Sequence, residues 1–360
     1  MLRGDSGHRC FRVIAVGATA LLTVIATDAA FSALVQFGPP LREVADAVAD
    51  YDRSDPTVLV LGSSHARTFE VTGRLLEQRT RARERMLAVP LEFGKLSSYL
   101  WVVEHRLRPR IDATDASGRR ERPSLRHLLL VTEWWDTCPV GPPGSDRPAA
   151  NLPARAWVFS DFLADAIHDG LTDYNKNYLS NLVTQALIRS SLIRDRGHET
   201  IKERLRNLVS EVSPAVARAA FERRVHDWHE MLESGAGCLG DPREATALDA
   251  IVEFFRARGV EVTVILYPKM PVTVTPRGRD ITLIPFSRWM ARWAQARGVR
   301  LLDWTLDHPL KDEHWEVDFD HLTPEGNRKL SEWALDRDLR FLVAPERNET
   351  TESSGHGEPP

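Results

Sequence analysis

Five short apolar runs constrain the fold of this chain more than any other feature of its sequence. The runs cover residues 57–62, 86–89, 127–132, 260–266 and 299–303. Their short length and their valine, leucine and isoleucine content are typical of strands that are buried on both faces. Segments with helical spacing separate them and cover residues 63–76, 97–107, 287–297 and 325–335. Buried strands that alternate with helices predict an α/β fold, in which helices cover a parallel sheet.

The long segment between the third and fourth runs is helical in pattern, from about residue 157 to residue 257. We interpret about residues 154–258 as an insertion into the α/β domain. The insertion either caps the functional site, faces a membrane partner or is inert packing, and the sequence leaves these alternatives open. The final segment, 346–360, is polar and is expected to be disordered.

The N-terminal segment predicts a membrane anchor. Arg3, Arg9 and Arg12 precede an apolar run at 13–37 in which Asp28 is the only charged residue. Such a run suffices for the ~20 residues that span a bilayer, and the basic flank favours a cytoplasmic N-terminus. The alternative is a cleaved signal peptide. Both alternatives place the body of the protein outside the cytoplasm. We therefore expect a cytoplasmic segment at 1–12, a transmembrane anchor at 13–37 and a linker at 38–55.

Charge and cysteine content narrow the partners and cofactors. The net charge of −4 and the isoelectric point near 6.3 disfavour a general nucleic-acid binder, which is usually basic. Cys138 and Cys238 both lie in the predicted exported part, where an oxidising compartment allows a disulfide. Two unrelated thiols are the alternative. The cysteine spacing fits no zinc site. Neither a metal nor an organic cofactor is expected.

A serine follows the first predicted strand, in the segment Gly62-Ser63-Ser64-His65. In a parallel sheet, ligands bind at the carboxyl ends of the strands. A serine at a strand-to-helix turn lies at that edge, close to the positive end of a helix dipole. Ser64 is therefore a candidate nucleophile. The alternative is that it only caps the helix, which is a common role of serine.

A candidate base follows the fifth strand, in the segment that contains Asp318 and His321. A serine hydroxyl is a weak nucleophile unless a base accepts its proton, and a carboxylate can fix the tautomer of a histidine base. The spacing of three residues allows one loop to carry both groups. His314, in the segment Asp312-Glu-His-Trp, is the alternative base.

Together these motifs resemble the SGNH (GDSL-type) hydrolase superfamily. Gly62, Ser64, Asp318, His321 and Gly326 occupy the positions of its first and last motifs. The resemblance implies a three-layer α/β/α fold over residues 56–345, with a five-stranded parallel sheet in the order 2-1-3-4-5. It also implies that Ser64, His321 and Asp318 form the catalytic triad.

Two positions refine the comparison with that superfamily. Ser63 stands where many members carry aspartate, and this form resembles the envelope-anchored branch that includes proteins of teichoic acid D-alanylation and polysaccharide O-acetylation. That resemblance implies an oxyanion hole formed by Ser64 and Gly94. No asparagine occurs in the third motif, at residues 132–136. Trp134, Trp135 and Asp136 in this motif are candidate substrate-binding residues, and core packing is the alternative for the two tryptophans.

The motifs and their resemblance to the SGNH superfamily together imply a function. The chain is expected to be a serine esterase or O-acyltransferase that acts on an acylated cell-envelope glycan or polymer. A multi-pass membrane acyltransferase is the expected partner, and the domain is expected to lie outside the membrane on a single-pass anchor. One alternative is a catalytically inactive scaffold or binding subunit of a polysaccharide-modification complex. Another is a lipid-active hydrolase whose helical insertion contacts the membrane.

Overall fold

A computed structural model of the protein describes residues 39–91, 94–113, 125–137, 214–234, 239–316 and 318–343. Its strands are β1 (Val58–Gly62), β2 (Met86–Pro90), β3 (His127–Thr132), β4 (Glu261–Leu266) and β5 (Arg300–Asp303). The strands form one five-stranded sheet in the order β2-β1-β3-β4-β5, and every neighbouring pair is parallel. The predicted α/β class, parallel sheet and strand order are confirmed.

Helices connect the strands and flank the sheet. The α-helices are α1 (Pro39–Ser54), α2 (Thr68–Thr80), α3 (Leu96–Val102), α4 (Arg108–Ile111), α5 (Pro214–Ser234), α6 (Pro242–Arg256), α7 (Pro276–Gly278), α8 (Ile284–Arg297), α9 (Pro324–Asp336) and α10 (Arg340–Val343). Single 3-10 turns occur at Ser64–Arg67, Trp134–Thr137, Pro271–Thr273 and Asp312–His314. Two π-helical segments occur at Val103–Leu107 and Arg279–Leu283.

The side chains of β1 show how both faces of the sheet are covered. Leu59 and Leu61 belong to one hydrophobic cluster, which includes buried residues of α1, α3, α6 and α8. Val58 and Val60 belong to a second cluster, which includes residues of α2 and α9. Successive side chains of a strand point to opposite faces. A run that is apolar at every position therefore builds a core on each side.

The segment before β4 belongs to the core, although it lies within the predicted insertion. Leu248, Ile251 and Phe255 of α6 are fully buried in the first cluster. Parallel neighbours need a crossover connection, and α6 supplies the helix that leads into β4. The part of the insertion at 154–213 lies outside the described residues.

Several predictions concern residues that the structure does not describe. They are the cytoplasmic segment 1–12, the anchor at 13–37, the Cys138–Cys238 pair and the tail at 346–360. Among the described helices, none combines the length and the apolar character needed to cross a bilayer.

Candidate active site

The turn after β1 leaves Ser64 free to act as a nucleophile. A Cβ atom on Gly62 would lie 2.7 Å from the carbonyl oxygen of Val131, so glycine allows β1 and β3 to approach at this edge. Ser63 caps the following 3-10 turn, and its side chain accepts the N–H of His65. Because Ser63 is the cap, the Ser64 hydroxyl is available for another partner.

That partner is His321. The Ser64 Oγ lies 2.8 Å from the His321 Nε2, and the His321 Nδ1 lies 2.7 Å from the Asp318 Oδ2. The second carboxylate oxygen of Asp318 accepts the backbone N–H groups of Asp320 and His321, both at 3.0 Å. With Nδ1 protonated towards Asp318, Nε2 is free to accept the serine proton. The structure thus brings together the three residues that the sequence predicted as a triad.

Helix α5 holds the loop that carries Asp318 and His321. Phe319 has a left-handed φ of 66°, which is unfavourable for a side chain with a Cβ atom and needs support from its surroundings. Its ring packs edge-on against Phe221, with centroids 5.0 Å apart. The Trp228 indole N–H donates to the carbonyl oxygen of Asp318 at 3.1 Å. These contacts fix the loop in the conformation that directs His321 towards Ser64.

The pKa shifts of Asp318 and His321 favour a negative charge on the aspartate and a positive charge on the histidine. Burial acts to raise the pKa of Asp318, but hydrogen bonds from the His321 side chain and from two backbone N–H groups outweigh it and lower the pKa to about 2. The hydrogen bond to Asp318 raises the pKa of His321 above its ordinary value, against the opposing effect of burial. Asp318 is therefore ionised at neutral pH and stabilises a proton on His321.

A second group of ionisable residues lies beneath the triad, and we call it the buried charge cluster: His65, Glu133, Lys269 and Asp320. Glu133 forms a buried ion pair with Lys269. The His65 Nδ1 lies 3.1 Å from the Glu133 Oε1, and the His65 Nε2 lies 3.2 Å from the Asp320 Oδ1. The cluster joins residues that follow β1, β3 and β4 to the loop of the triad.

The members of this cluster stabilise one another's charges. Burial acts to lower the pKa of His65, but the carboxylates of Asp320 and Glu133 raise it to about 10. Burial acts to raise the pKa of Glu133, but Lys269 and His65 lower it overall. Burial likewise opposes the charge of Lys269, whose pKa is nevertheless raised, chiefly by Glu133. His65 is therefore an imidazolium at neutral pH.

The buried charge cluster fits an imidazolium better than a metal ion. His65, Glu133 and Asp320 are residue types that ligate metals, and their polar atoms lie within 4.8 Å of one another. However, the two carboxylates face different nitrogens of the same imidazole ring. One ion cannot bind both nitrogens of one ring, whereas a doubly protonated ring places a positively charged N–H near each carboxylate.

The predicted oxyanion hole consists of the backbone N–H groups of Ser64 and Gly94. The Ser64 N–H belongs to the first residue of a 3-10 turn, so it has no acceptor within that turn. The Gly94 N–H donates to the Leu91 carbonyl oxygen at 2.7 Å. A Cβ atom on Gly94 would lie 2.4 Å from the Tyr99 ring, so this glycine is required by packing. Of the two predicted donors, the Gly94 N–H is therefore already bonded to a backbone acceptor.

The predicted substrate-binding residues that follow β3 lie mostly in the interior. Trp134 is 1% exposed and packs in the first hydrophobic cluster, and Trp135 packs against the same cluster. Asp136 is also 1% exposed and accepts hydrogen bonds from the Thr132 hydroxyl and the Glu133 N–H. Burial, followed by the charge of Glu133, raises the pKa of Asp136 to about 8. Trp134 and Asp136 therefore contribute to packing and present almost no surface to a substrate.

His314, the alternative base, has a different role. Its Nδ1 accepts the backbone N–H of Lys311 at 2.8 Å, and its carbonyl oxygen accepts the N–H of Thr323 at 3.0 Å. These bonds attach the 312–314 turn to the start of α9. His314 stabilises the region behind the triad loop, while His321 contacts the serine.

No protein-family model matches the sequence, and no curated protein matches it.

Proposed function

We propose that this protein is a serine esterase or O-acyltransferase of the SGNH type. One observation carries the proposal: an unbroken hydrogen-bonded chain joins Ser64, His321 and Asp318, with donor–acceptor distances of 2.8 Å and 2.7 Å. Such a chain converts a serine hydroxyl into a nucleophile, and a positioned base typically contributes about 10²–10⁴-fold to the rate.

The reaction follows from the roles of these groups. As the Ser64 Oγ attacks the acyl carbonyl, its proton passes to the His321 Nε2, and the carbonyl electrons move to the oxygen. The Ser64 N–H is the donor that we assign to that developing charge. His321 then donates the proton to the departing alkoxide, which leaves an acyl-serine. Water releases the acyl group as an acid, or a glycan hydroxyl accepts it as a new ester.

The order of the strands and motifs supports the SGNH type. The nucleophile follows the first strand of a 2-1-3-4-5 sheet, and the aspartate and histidine share one loop after the last strand. Side chains of Asp318 and His321 are 48% and 31% exposed, so the site is open to solvent on that side. By resemblance, the substrate is an acylated envelope glycan or polymer, the chain is anchored by residues 13–37, and a multi-pass acyltransferase is its partner.

A catalytically inactive scaffold is the second candidate. The observation in its favour is the incomplete oxyanion hole: residues 132–136 contain no asparagine, and the Gly94 N–H is bonded to Leu91. Loss of one oxyanion donor typically lowers the rate about 10²–10³-fold. An enzyme that lacks this donor needs a partner or substrate to complete the site.

Turnover of a simple ester separates these candidates. We would measure hydrolysis of p-nitrophenyl acetate by the full-length chain, with and without a cello-oligosaccharide acceptor, beside Ser64→Ala. The proposal predicts release of nitrophenol that the variant loses. Acetylated oligosaccharide in the products indicates a transferase, and acetate alone indicates an esterase. Equal rates for both proteins would contradict the proposal, and a folded, inert wild type would favour the scaffold.

A further inference from the structure

His65 directly follows the candidate nucleophile, and its imidazole is almost completely enclosed. The residue is 1% exposed, and its ring stacks on Tyr267 with centroids 3.9 Å apart and an interplanar angle of 15°. The Nε2 atom lies 3.1 Å from the backbone oxygen of Asp320 and 3.2 Å from its carboxylate. The Nδ1 atom lies 3.0 Å from the Ser63 Oγ.

The bond between His65 and Asp320 links the two halves of the triad. Ser64 and His321 are 257 residues apart in sequence, and each lies on a turn rather than within a strand. His65 is the residue after the nucleophile, and Asp320 is the residue before the base. A contact between these two neighbours therefore constrains the distance between the serine hydroxyl and the imidazole of His321.

We propose that His65 is a positioning residue: the Nε2 of its buried ring binds the carbonyl and carboxylate of Asp320 and so keeps His321 in contact with Ser64. The inference depends on the proposed function, because it assigns a role within the same triad. Tyr267 supports the ring of His65 from the end of β4, and the Tyr267 hydroxyl is itself bonded to Thr68 at 2.9 Å.

The charges around His65 favour this role. Glu133 from the end of β3 and Asp320 from the triad loop are the two acids that face it, and Lys269 from the end of β4 neutralises Glu133. The imidazole of His321 also lies near His65, with ring centroids 5.7 Å apart. Burial opposes the charge of His65, but the two carboxylates raise its pKa to about 10. The link therefore persists at neutral pH.

The charges of His65 and Asp320 also affect the pKa of His321. The positive charge of His65 acts to lower the pKa of His321, and the negative charge of Asp320 acts to raise it. Removing each charge should therefore move the pH dependence of the triad in opposite directions. A purely structural role of the two residues in stability predicts no such pair of shifts.

The test compares the rate at which a fluorophosphonate labels the full-length chain from about pH 5 to pH 9, a range that brackets the ordinary histidine pKa. The variants are His65→Gln, His65→Asn and Asp320→Asn. Glutamine places an amide near the Nε2 position and can still donate to Asp320, whereas asparagine reaches only the Nδ1 position. A displacement of about 1 Å can cost about 10²-fold in rate, so we expect His65→Asn to label about 10–100-fold more slowly.

The proposal predicts a different result for each of the three variants. His65→Gln should retain more of the rate than His65→Asn and should raise the pH midpoint of labelling. Asp320→Asn, at a residue whose side chain is 16% exposed, should fold and should lower that midpoint. Wild-type rates and midpoints in all three variants would overturn the inference. If the wild type itself fails to label at Ser64, the proposed function fails, and that result is distinct from labelling that does not depend on His65.

Discussion

Replacing Gly326 with alanine introduces a methyl group where the first turn of α9 meets the 312–314 turn. A Cβ atom at this position would lie 2.2 Å from the carbonyl oxygen of His314 and 3.1 Å from its Cβ atom. The same carbonyl oxygen accepts the backbone N–H of Thr323 at 3.0 Å and its hydroxyl at 3.2 Å. The obstructing atom is part of the backbone and is bonded to the helix cap, so it cannot rotate away.

The steric clash costs more free energy than alanine gains as a better helix former than glycine. Favourable contacts begin near 3.5 Å, so the methyl group must displace the two segments by about 1 Å. Overpacking of this kind costs about 1–3 kcal/mol, whereas alanine gains at most about 1 kcal/mol over glycine in a helix interior. We expect a net destabilisation of about 1–2 kcal/mol, which lowers Tm by about 2–8 °C at the usual 2–4 °C per kcal/mol.

The displacement should also reach the triad. Thr323 lies two residues after His321, so a shift of the helix cap moves the base relative to Ser64. A misplacement of 1 Å can cost about 10²-fold in rate. Thermal unfolding by circular dichroism measures the stability change, and fluorophosphonate labelling measures the change at the site.

Gly73→Ala is the matched control, because Gly73 lies in α2 and its Cβ atom would meet the Met86 Cβ atom at 3.2 Å. A small adjustment at that contact suffices, so Tm and the labelling rate should change little. The reasoning is refuted if Gly326→Ala is as stable and as reactive as Gly73→Ala.

Three further predictions concern charge. Asp318→Asn removes the acceptor that fixes the His321 tautomer and should lower kcat about 10⁴-fold, with little change in Tm; steady-state ester hydrolysis checks this, and a loss below tenfold contradicts it. Lys269→Met leaves the buried Glu133 with His65 in place of two cations and should destabilise the fold by up to about 3 kcal/mol in urea unfolding, less than the ~3–5 kcal/mol of a buried charge left fully unpaired; Glu133→Gln in the same chain should restore part of that loss. If His321 acts as the proposed base, its neutral form is the active one. The hydrogen bond to Asp318 raises the pKa of His321, so labelling should increase with pH through a midpoint above the ordinary value near 6.5; a flat profile from pH 5 to 9 argues against His321 as the base.

The strands could be predicted because each contains a short run of consecutive apolar residues. The predicted run at 127–132 coincides with β3, and the run at 260–266 differs from β4 by one residue. Burial on both faces produces this pattern wherever helices cover both sides of a sheet. Ser64 was predictable because residues that closely follow parallel strands converge on one edge of the sheet. Asp318 and His321 lie farther from the end of β5, and their spacing of three residues was the signal that identified them.

The buried charge cluster was harder to predict. Glu133 and Lys269 follow β3 and β4 closely, so they are expected at the same edge of the sheet as Ser64. The periodicity of the sequence does not show that they pair in the interior. A charged residue is rarely buried unless it is paired, and the pairing is a tertiary property. The burial of Trp134 was hard to predict for the same reason: whether a tryptophan packs inward or faces a ligand depends on helices distant in sequence.

Mass mapping of the fluorophosphonate adduct on the full-length chain tests the central claim most directly. In the reaction, the activated serine oxygen attacks phosphorus and fluoride leaves, so the adduct marks the nucleophile. We predict one adduct on the native chain, located at Ser64, lost in Ser64→Ala and greatly reduced in His321→Ala, with none on the heat-denatured chain. An adduct on another residue, or equal labelling of native chain and Ser64→Ala, would contradict the assignment of this triad as a catalytic site.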